Sequence, residues 1–197
     1  MPRGDYTIEQ LGRDVLAIMD DADLASAHVC GISLGGLTAM WLGVNAPDRV
    51  QTLVLANTGA RIGTVDMWNE RIALVKSEGM APLSERAVTA WFSPEFRERD
   101  SDTVHAFKAM LQNCRPDGYA GCSAALRDAD LRDAIGGIRA PTLAIGGTGD
   151  NATPMAMAEF IRDRIPGARL VALESAHLSN VEQAEGFTAA VTEFLAE

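Results

Sequence analysis

The sequence predicts an α/β fold: a mostly parallel sheet flanked by helices, with a helical cap across one end. Short continuous apolar runs, "AHVCGIS", "VQTLVLANT", "APTLAIGGTGD" and "ARLVALESAH", are separated by segments of helical period; strands covered by helices on both faces read this way. Between residues 65 and 135 helix follows helix without a convincing strand, the pattern of a block inserted between two core strands. A chain of 197 residues with 47% hydrophobic and 22% charged side chains is long and apolar enough to bury a core. The expected parts are a first core segment over 1–64, a cap over 65–135 and a second core segment over 136–197.

Taken in order, Thr7 to Gln10 has the spacing of a capping box, and Ile8, Leu11, Val15, Ile18 and Met19 recur at helical intervals, so the chain opens on a helix. "AHVCGIS" is a short strand running into a turn. "LGGLTAMWLGVNAP" is the next helix, with Leu37, Met40, Trp41 and Val44 on one face and Pro47 as its stop. "VQTLVLANT" is a strongly apolar strand. The cap has helices at "DMWNERIALVKSEG", "LSERAVTAWF", "DTVHAFKAMLQNC" and "GYAGCSAALRDADLRDAI". Two further strands then enclose the helix "PMAMAEFIRDRI", where Pro154 suits a first turn. Ser179 and Glu182 have the spacing of a second capping box, ahead of a helix that docks through Phe187, Val191, Phe194 and Leu195.

A formal charge of −10 and a pI near 4.7 argue against a nucleic-acid surface, which needs clustered Lys and Arg. An anionic ligand must find a locally positive pocket. Cys30, Cys114 and Cys122 are odd in number and lack metal-ligand spacing, which predicts reduced thiols in a cytoplasmic protein. The start "MPRGDYTIEQ" has no basic region followed by an apolar one, and no run approaches the ~18 apolar residues of a membrane span.

Gly31, Ser33 and Gly35 form G-x-S-x-G at a predicted strand-to-helix junction. There a serine sits on a tight turn whose neighbours lack side chains, so that nothing collides and the hydroxyl is exposed. The amide of Leu34 then lies at a helix start, where it can receive an oxyanion. The alternative is a glycine-rich turn without chemistry. Serine is a poor nucleophile without a general base, and three histidines are available. His28 precedes the nucleophile strand, and His105 lies in an amphipathic cap helix. His177 follows the last strand directly and is the candidate base. Asp150 ends an apolar strand 27 residues earlier and is the candidate acid. The chain order Ser33, Asp150, His177 is that of one serine-hydrolase architecture. The alternative is that Asp150 caps the next helix and His177 fills a loop.

These residues carry a resemblance. "GDYTIEQLGRDVLAIMD", "HVCGISLGGLTAMWLGVNAPDRV", "VLANTGARIG", "CRPDGYAGCSAALRDADLR", "PTLAIGGTGDNATP" and "ESAHLSNVEQAEGF" make the chain resemble the α/β-hydrolases and, within them, the 3-oxoadipate enol-lactonases. The likeness covers nearly the whole chain. It implies hydrolysis of a small-molecule lactone or carboxylic ester, without metal or organic cofactor. The family's substrate carries a carboxylate, which Arg127 in "AALRDADLR" is expected to grip, with Trp91 and Phe92 as candidate pocket walls. The alternative for Arg127 is a solvated, salt-bridged face, and for the aromatics the cap core.

The family also begins with several strands before the helix that opens this chain. The resemblance aligns Met1 with an interior position, after a loop rich in His and Gly, and implies that a second oxyanion donor comes from that loop. The expectation is a fragment, a product of a misplaced start, or a subunit completed by a homo-oligomer or a complementing chain. Two other readings stand beside the enol-lactonase: a general carboxylesterase or C–C bond hydrolase using the same three residues, and a non-catalytic binding module.

Overall fold

Four parallel strands, β1 (Ala27–Ile32), β2 (Val50–Ala56), β3 (Thr142–Gly147) and β4 (Arg169–Leu173), lie side by side in that order in a computed structural model that describes residues 4–197. Their register aligns the carboxyl ends. Ile32 sits opposite Ala56, Ala56 opposite Ile145, and Gly147 opposite Leu173. The segments that leave these ends, beginning at Ser33, Asn57, Thr148 and Glu174, therefore start on one edge of the sheet.

Alternation along β2 shows why both faces are covered. Leu53 and Leu55 enter one apolar cluster with Leu37, Met40, Ile161 and Ile165, whereas Val54 and Ala56 enter another with Phe187, Val191 and Phe194. The first face carries α1 (Ile8–Asp21), α2 (Leu34–Asn45) and α8 (Met155–Arg164); the second carries α10 (Ala184–Leu195). Helix α2 lies against both α1 and the sheet, and it buries seven of its twelve residues. Helix α1 opens on the expected capping box: the Gln10 amide donates to Thr7 Oγ1 at 3.1 Å, and the Thr7 amide donates to Gln10 Oε1 at 2.9 Å.

Between β2 and β3 run five helices, α3 (Val65–Glu78), α4 (Ala81–Trp91), α5 (Pro94–Arg99), α6 (Ser101–Gln112) and α7 (Pro116–Asp128). They have their own apolar centre around Ile72, Val75, Leu83, Leu111 and Ala124. A second cluster, Val88, Phe92 and Phe96, packs against Leu178 and Val181 beyond β4, joining the cap to the core.

Several expectations are corrected. Helix α5 interrupts the predicted order because Ser93 caps Pro94–Arg99 through its hydroxyl, which accepts from the Phe96 amide at 3.1 Å. Helix α7 stops at Asp128, short of the predicted Ile135; the Leu131 amide turns back to the Ala60 carbonyl, and only Ile135–Gly137 recovers a 3-10 turn. Pro154 is the N-cap of α8 with extended ψ of 153°, one residue ahead of the first turn. The second capping box does not form. Ser179 is inside the short helix α9 (Ser179–Glu182), and its hydroxyl and the Glu182 carboxylate bond elsewhere. Leu195 is 40% exposed, leaving Phe187, Val191 and Phe194 as the docking face of α10. The reading of "MPR" as part of a leader lies outside the described residues.

Candidate active site

Ser33 leaves β1 with φ 54° and ψ −118°, a conformation that L-residues rarely adopt. Backbone bonds hold it there: its amide donates to the Ala56 carbonyl at 3.1 Å, and its carbonyl accepts from the Thr58 hydroxyl at 2.7 Å. The two glycines of the motif have different reasons. A Cβ on Gly31 would lie 2.3 Å from the Gly35 carbonyl, so the turn closes only over a bare α-carbon. A Cβ on Gly35 meets nothing within 4 Å, which corrects the expectation of a collision there; Gly36, packed on Thr58, is the second position without room. Ser33 makes no side-chain cap bond, and the Leu34 amide heads α2, where no intrahelical acceptor exists for it. A hydroxyl and a free amide thus share one helix start, where the helix dipole favours negative charge.

Asp150 and His177, which follow β3 and β4, meet at the same end of the sheet. His177 Nδ1 lies 2.9 Å from Asp150 Oδ2, with both side chains at most 5% exposed. The same Oδ2 accepts from the Thr153 hydroxyl at 2.6 Å and from Asn57 Nδ2 at 3.1 Å, while Oδ1 accepts from the amides of Ala152 and Thr153 at 2.8 and 2.9 Å. Asp150 therefore closes its own turn with one oxygen and meets the imidazole with the other; the N-cap of α8 is Pro154, without a side-chain cap bond, so Asp150 does not cap that helix. Burial pushes its carboxyl up, but the His177 bond and charge and the two Thr153 donors outweigh that and hold it at about 2. An ionised carboxylate only accepts, so the proton between them belongs to His177 Nδ1, and neutral His177 keeps the lone pair on Nε2. His28, by contrast, is exposed on β1 and pairs with Thr52 of the neighbouring β2, and His105 belongs to cap helix α6.

Asn57, which sequence reasoning missed, supports this pair. It is 1% exposed, has φ 41°, donates to Asp150 and to the Ala176 carbonyl at 3.2 Å, and accepts from the Ser179 hydroxyl. The signal was an asparagine directly after a strand, a residue type that tolerates left-handed backbone.

A cavity of about 390 Å³ between the sheet edge and the cap is bordered by Ser33, Leu34 and His177 on the core side. Trp91 borders it on the cap side, together with Trp68 and Tyr119; Phe92 is 1% exposed in the cap core instead. A second space of about 370 Å³ shares Met67, Arg71, Trp91 and Tyr119 and runs on between α3 and α4. Arg127 is not on this wall. Its guanidinium bonds Asp128 at 2.7 Å and Asp5 at 3.0 Å, which raise its pKa, and it reaches Asn69 at 3.3 Å. The expected carboxylate grip is thereby corrected: the ion-paired alternative describes Arg127, and the cation bordering the cavity is Arg71, set over the Trp68 ring at 4.9 Å. Cys122 lies on the wall, and burial pushes its thiol up. Among the described residues no group of three or more His, Cys, Asp or Glu is placed to hold a metal ion, and no helix is long and apolar enough to cross a membrane.

A strand–turn–helix serine, an acid and a histidine at successive strand ends, and a helical cap over them define a class, and the comparison with known families agrees. The model of the alpha/beta hydrolase fold matches residues 1–184, and the chain belongs to that family as an enzyme of the α/β-hydrolase class. It is similar to 3-oxoadipate enol-lactonase 2 of Acinetobacter baylyi, 40% identical over 190 residues that cover 96% of this chain and 71% of the relative. The 3-oxoadipate enol-lactonase 1 of the same organism is 38% identical, with 92% and 68% covered. Among solved structures, the enol-lactonase of Burkholderia xenovorans superimposes with a TM-score of 0.98 at 39% identity, covering 100% of this chain and 75% of that one.

Proposed function

We propose that the protein hydrolyses a lactone or carboxylic ester through Ser33, with 3-oxoadipate enol-lactone as substrate and 3-oxoadipate as product, a step in the degradation of aromatic compounds. The observation that carries this reading is the left-handed Ser33 at the head of α2, in one cavity with His177, whose imidazole is backed by an ionised Asp150. Enol-lactonase relatives covering most of the chain supply the substrate class.

His177 Nε2 takes the Ser33 proton as Oγ attacks the lactone carbonyl, and the oxyanion of the tetrahedral intermediate faces the Leu34 amide. Collapse breaks the ring C–O bond. The enol oxygen leaves with the proton from the imidazolium and becomes a ketone by tautomerisation. An enol is a better leaving group than an alkoxide, so protonation of the leaving oxygen is less demanding than in amide cleavage. Water, giving its proton to His177, then attacks the acyl-enzyme; the carboxylic acid departs and Ser33 recovers its proton. Arg71 is the cation we assign to the substrate carboxylate, because Arg binds carboxylates bidentately and this one faces the cavity free of any acidic partner among the described residues. The three unbridged cysteines suit a reducing, cytoplasmic compartment.

Hydrolysis of the enol-lactone, followed by loss of its ultraviolet absorbance, tests the proposal against nitrophenyl acetate as a generic ester. The expected result is preference for the lactone and a fall of ~10⁴-fold or more in kcat for Ser33→Ala. Wild-type turnover by that variant refutes the nucleophile, and preference for the acetate favours the general carboxylesterase.

A further inference from the structure

The loop that presents His177 is tied to the cap on both sides of the histidine. On one side the Ala176 amide donates to Glu182 Oε2 at 3.1 Å; that same oxygen accepts from the Ser93 amide at 3.2 Å, just past the end of α4. On the other side the Leu178 amide donates to the carbonyl of Trp91, the cavity-wall residue, at 3.1 Å. Glu182 is 8% exposed, and Leu178 and Val181 pack into the Phe92 and Phe96 cluster beside it. A carboxylate oxygen shared by two backbone amides, one next to the candidate base and one from the cap, is a costly thing to bury without a purpose that needs both.

We propose that Glu182 is a positioning residue for the catalytic base: it fastens the His177 backbone to the Trp91–Ser93 end of cap helix α4, so that imidazole and cavity wall keep one relative placement. The inference rests on the serine-hydrolase reading of Ser33, Asp150 and His177. Asn57 anchors the same loop to the core through the Ala176 carbonyl. Ala176 thus has its carbonyl held from the core and its amide held toward the cap, and the imidazole is aimed by the backbone between these bonds. Because two N–H groups need only an acceptor at that point, reach matters and charge does not.

Glu182→Gln keeps an acceptor oxygen at the same reach, Glu182→Asp keeps the charge but falls a methylene short, and Glu182→Ala removes both. The expected result is that the Asp and Ala variants lose about tenfold in kcat on both the enol-lactone and nitrophenyl acetate, with KM changed less than about threefold, while Gln restores kcat to within about threefold. The downfield proton resonance of His177 Nδ1–H should persist in the Gln variant and weaken in the other two. Near-ultraviolet circular dichroism and thermal melts fix the folded fraction. Wild-type kcat in folded Ala and Asp variants overturns the proposal, as does an Asp variant better than Gln, or a loss of activity that only tracks the loss of folded protein. Ser33→Ala is assayed alongside. If it keeps full activity the hydrolase reading fails, whereas its inactivity with indifferent Glu182 variants overturns this inference alone.

Discussion

Asp150 is the residue at which stability and the proposed chemistry meet. Its two oxygens accept from Asn57, Ala152, Thr153 and His177, and its side chain is fully buried. A carboxyl held at about 2, against an ordinary 3.8, favours the folded state whenever it is ionised. That contribution, on the order of 2 kcal/mol, is complete above pH ~5 and is lost progressively as pH falls through about 3.8 toward about 2. Asp150→Asn removes the titration and keeps the shape. Urea unfolding at pH 6, 4 and 2.5 should therefore show wild type more stable than the variant at the two higher values, with the gap narrowing at 2.5. A gap that stays constant across that window shows that ionisation is not its source. The Asp150–His177 pair was legible in the sequence because both follow apolar strands, and parallel strands bring their carboxyl ends together. Asn57 and Thr153 were not singled out: a polar residue after a strand has many uses, and only the three-dimensional meeting at Asp150 selects this one.

At the scale of elements, the junction of β1 and α2 sets how tightly Ser33 can be turned. Gly31→Ala drives a methyl into the Gly35 carbonyl and the Gly36 amide, backbone atoms that cannot rotate away. Denaturant unfolding should show a loss of about 1–3 kcal/mol or more, with activity falling further than stability. Gly35→Ala, which meets nothing within 4 Å, should stay within about 1 kcal/mol of wild type. Equal cost at both positions would contradict the packing described. Strands and long helices were legible because burial imposes a period on sequence, and the capping box of α1 because its bonds are local. The same spacing at Ser179 and Glu182 misled. There the hydroxyl finds Asn57 and the carboxylate finds Ala176 and Ser93, and tertiary partners outcompete the local cap. Arg127 and Arg71 differ in the same way: helical spacing gives a face, but only packing tells which face borders the cavity and which meets Asp5.

At the scale of the whole molecule, charge opposes the proposed substrate. Ten net negative charges on a domain of roughly 20 Å radius cost an approaching monoanion ~1 kcal/mol at 10 mM salt and about half that at 150 mM, where the Debye length has shrunk from ~30 to ~8 Å. Arg71 acts inside the cavity at contact distance, where screening by salt is much weaker. The two effects therefore separate. Raising salt from 10 to 150 mM should increase kcat/KM for the enol-lactone carboxylate two- to threefold and leave neutral nitrophenyl acetate unchanged. Arg71→Gln should lower kcat/KM for the lactone by a similar factor at both salt concentrations, with little effect on the acetate. A lactone rate that falls with salt means that local attraction outweighs the global repulsion at long range. An Arg71 variant equally poor on both substrates means that the guanidinium supports the wall through Trp68 and leaves the carboxylate to another group.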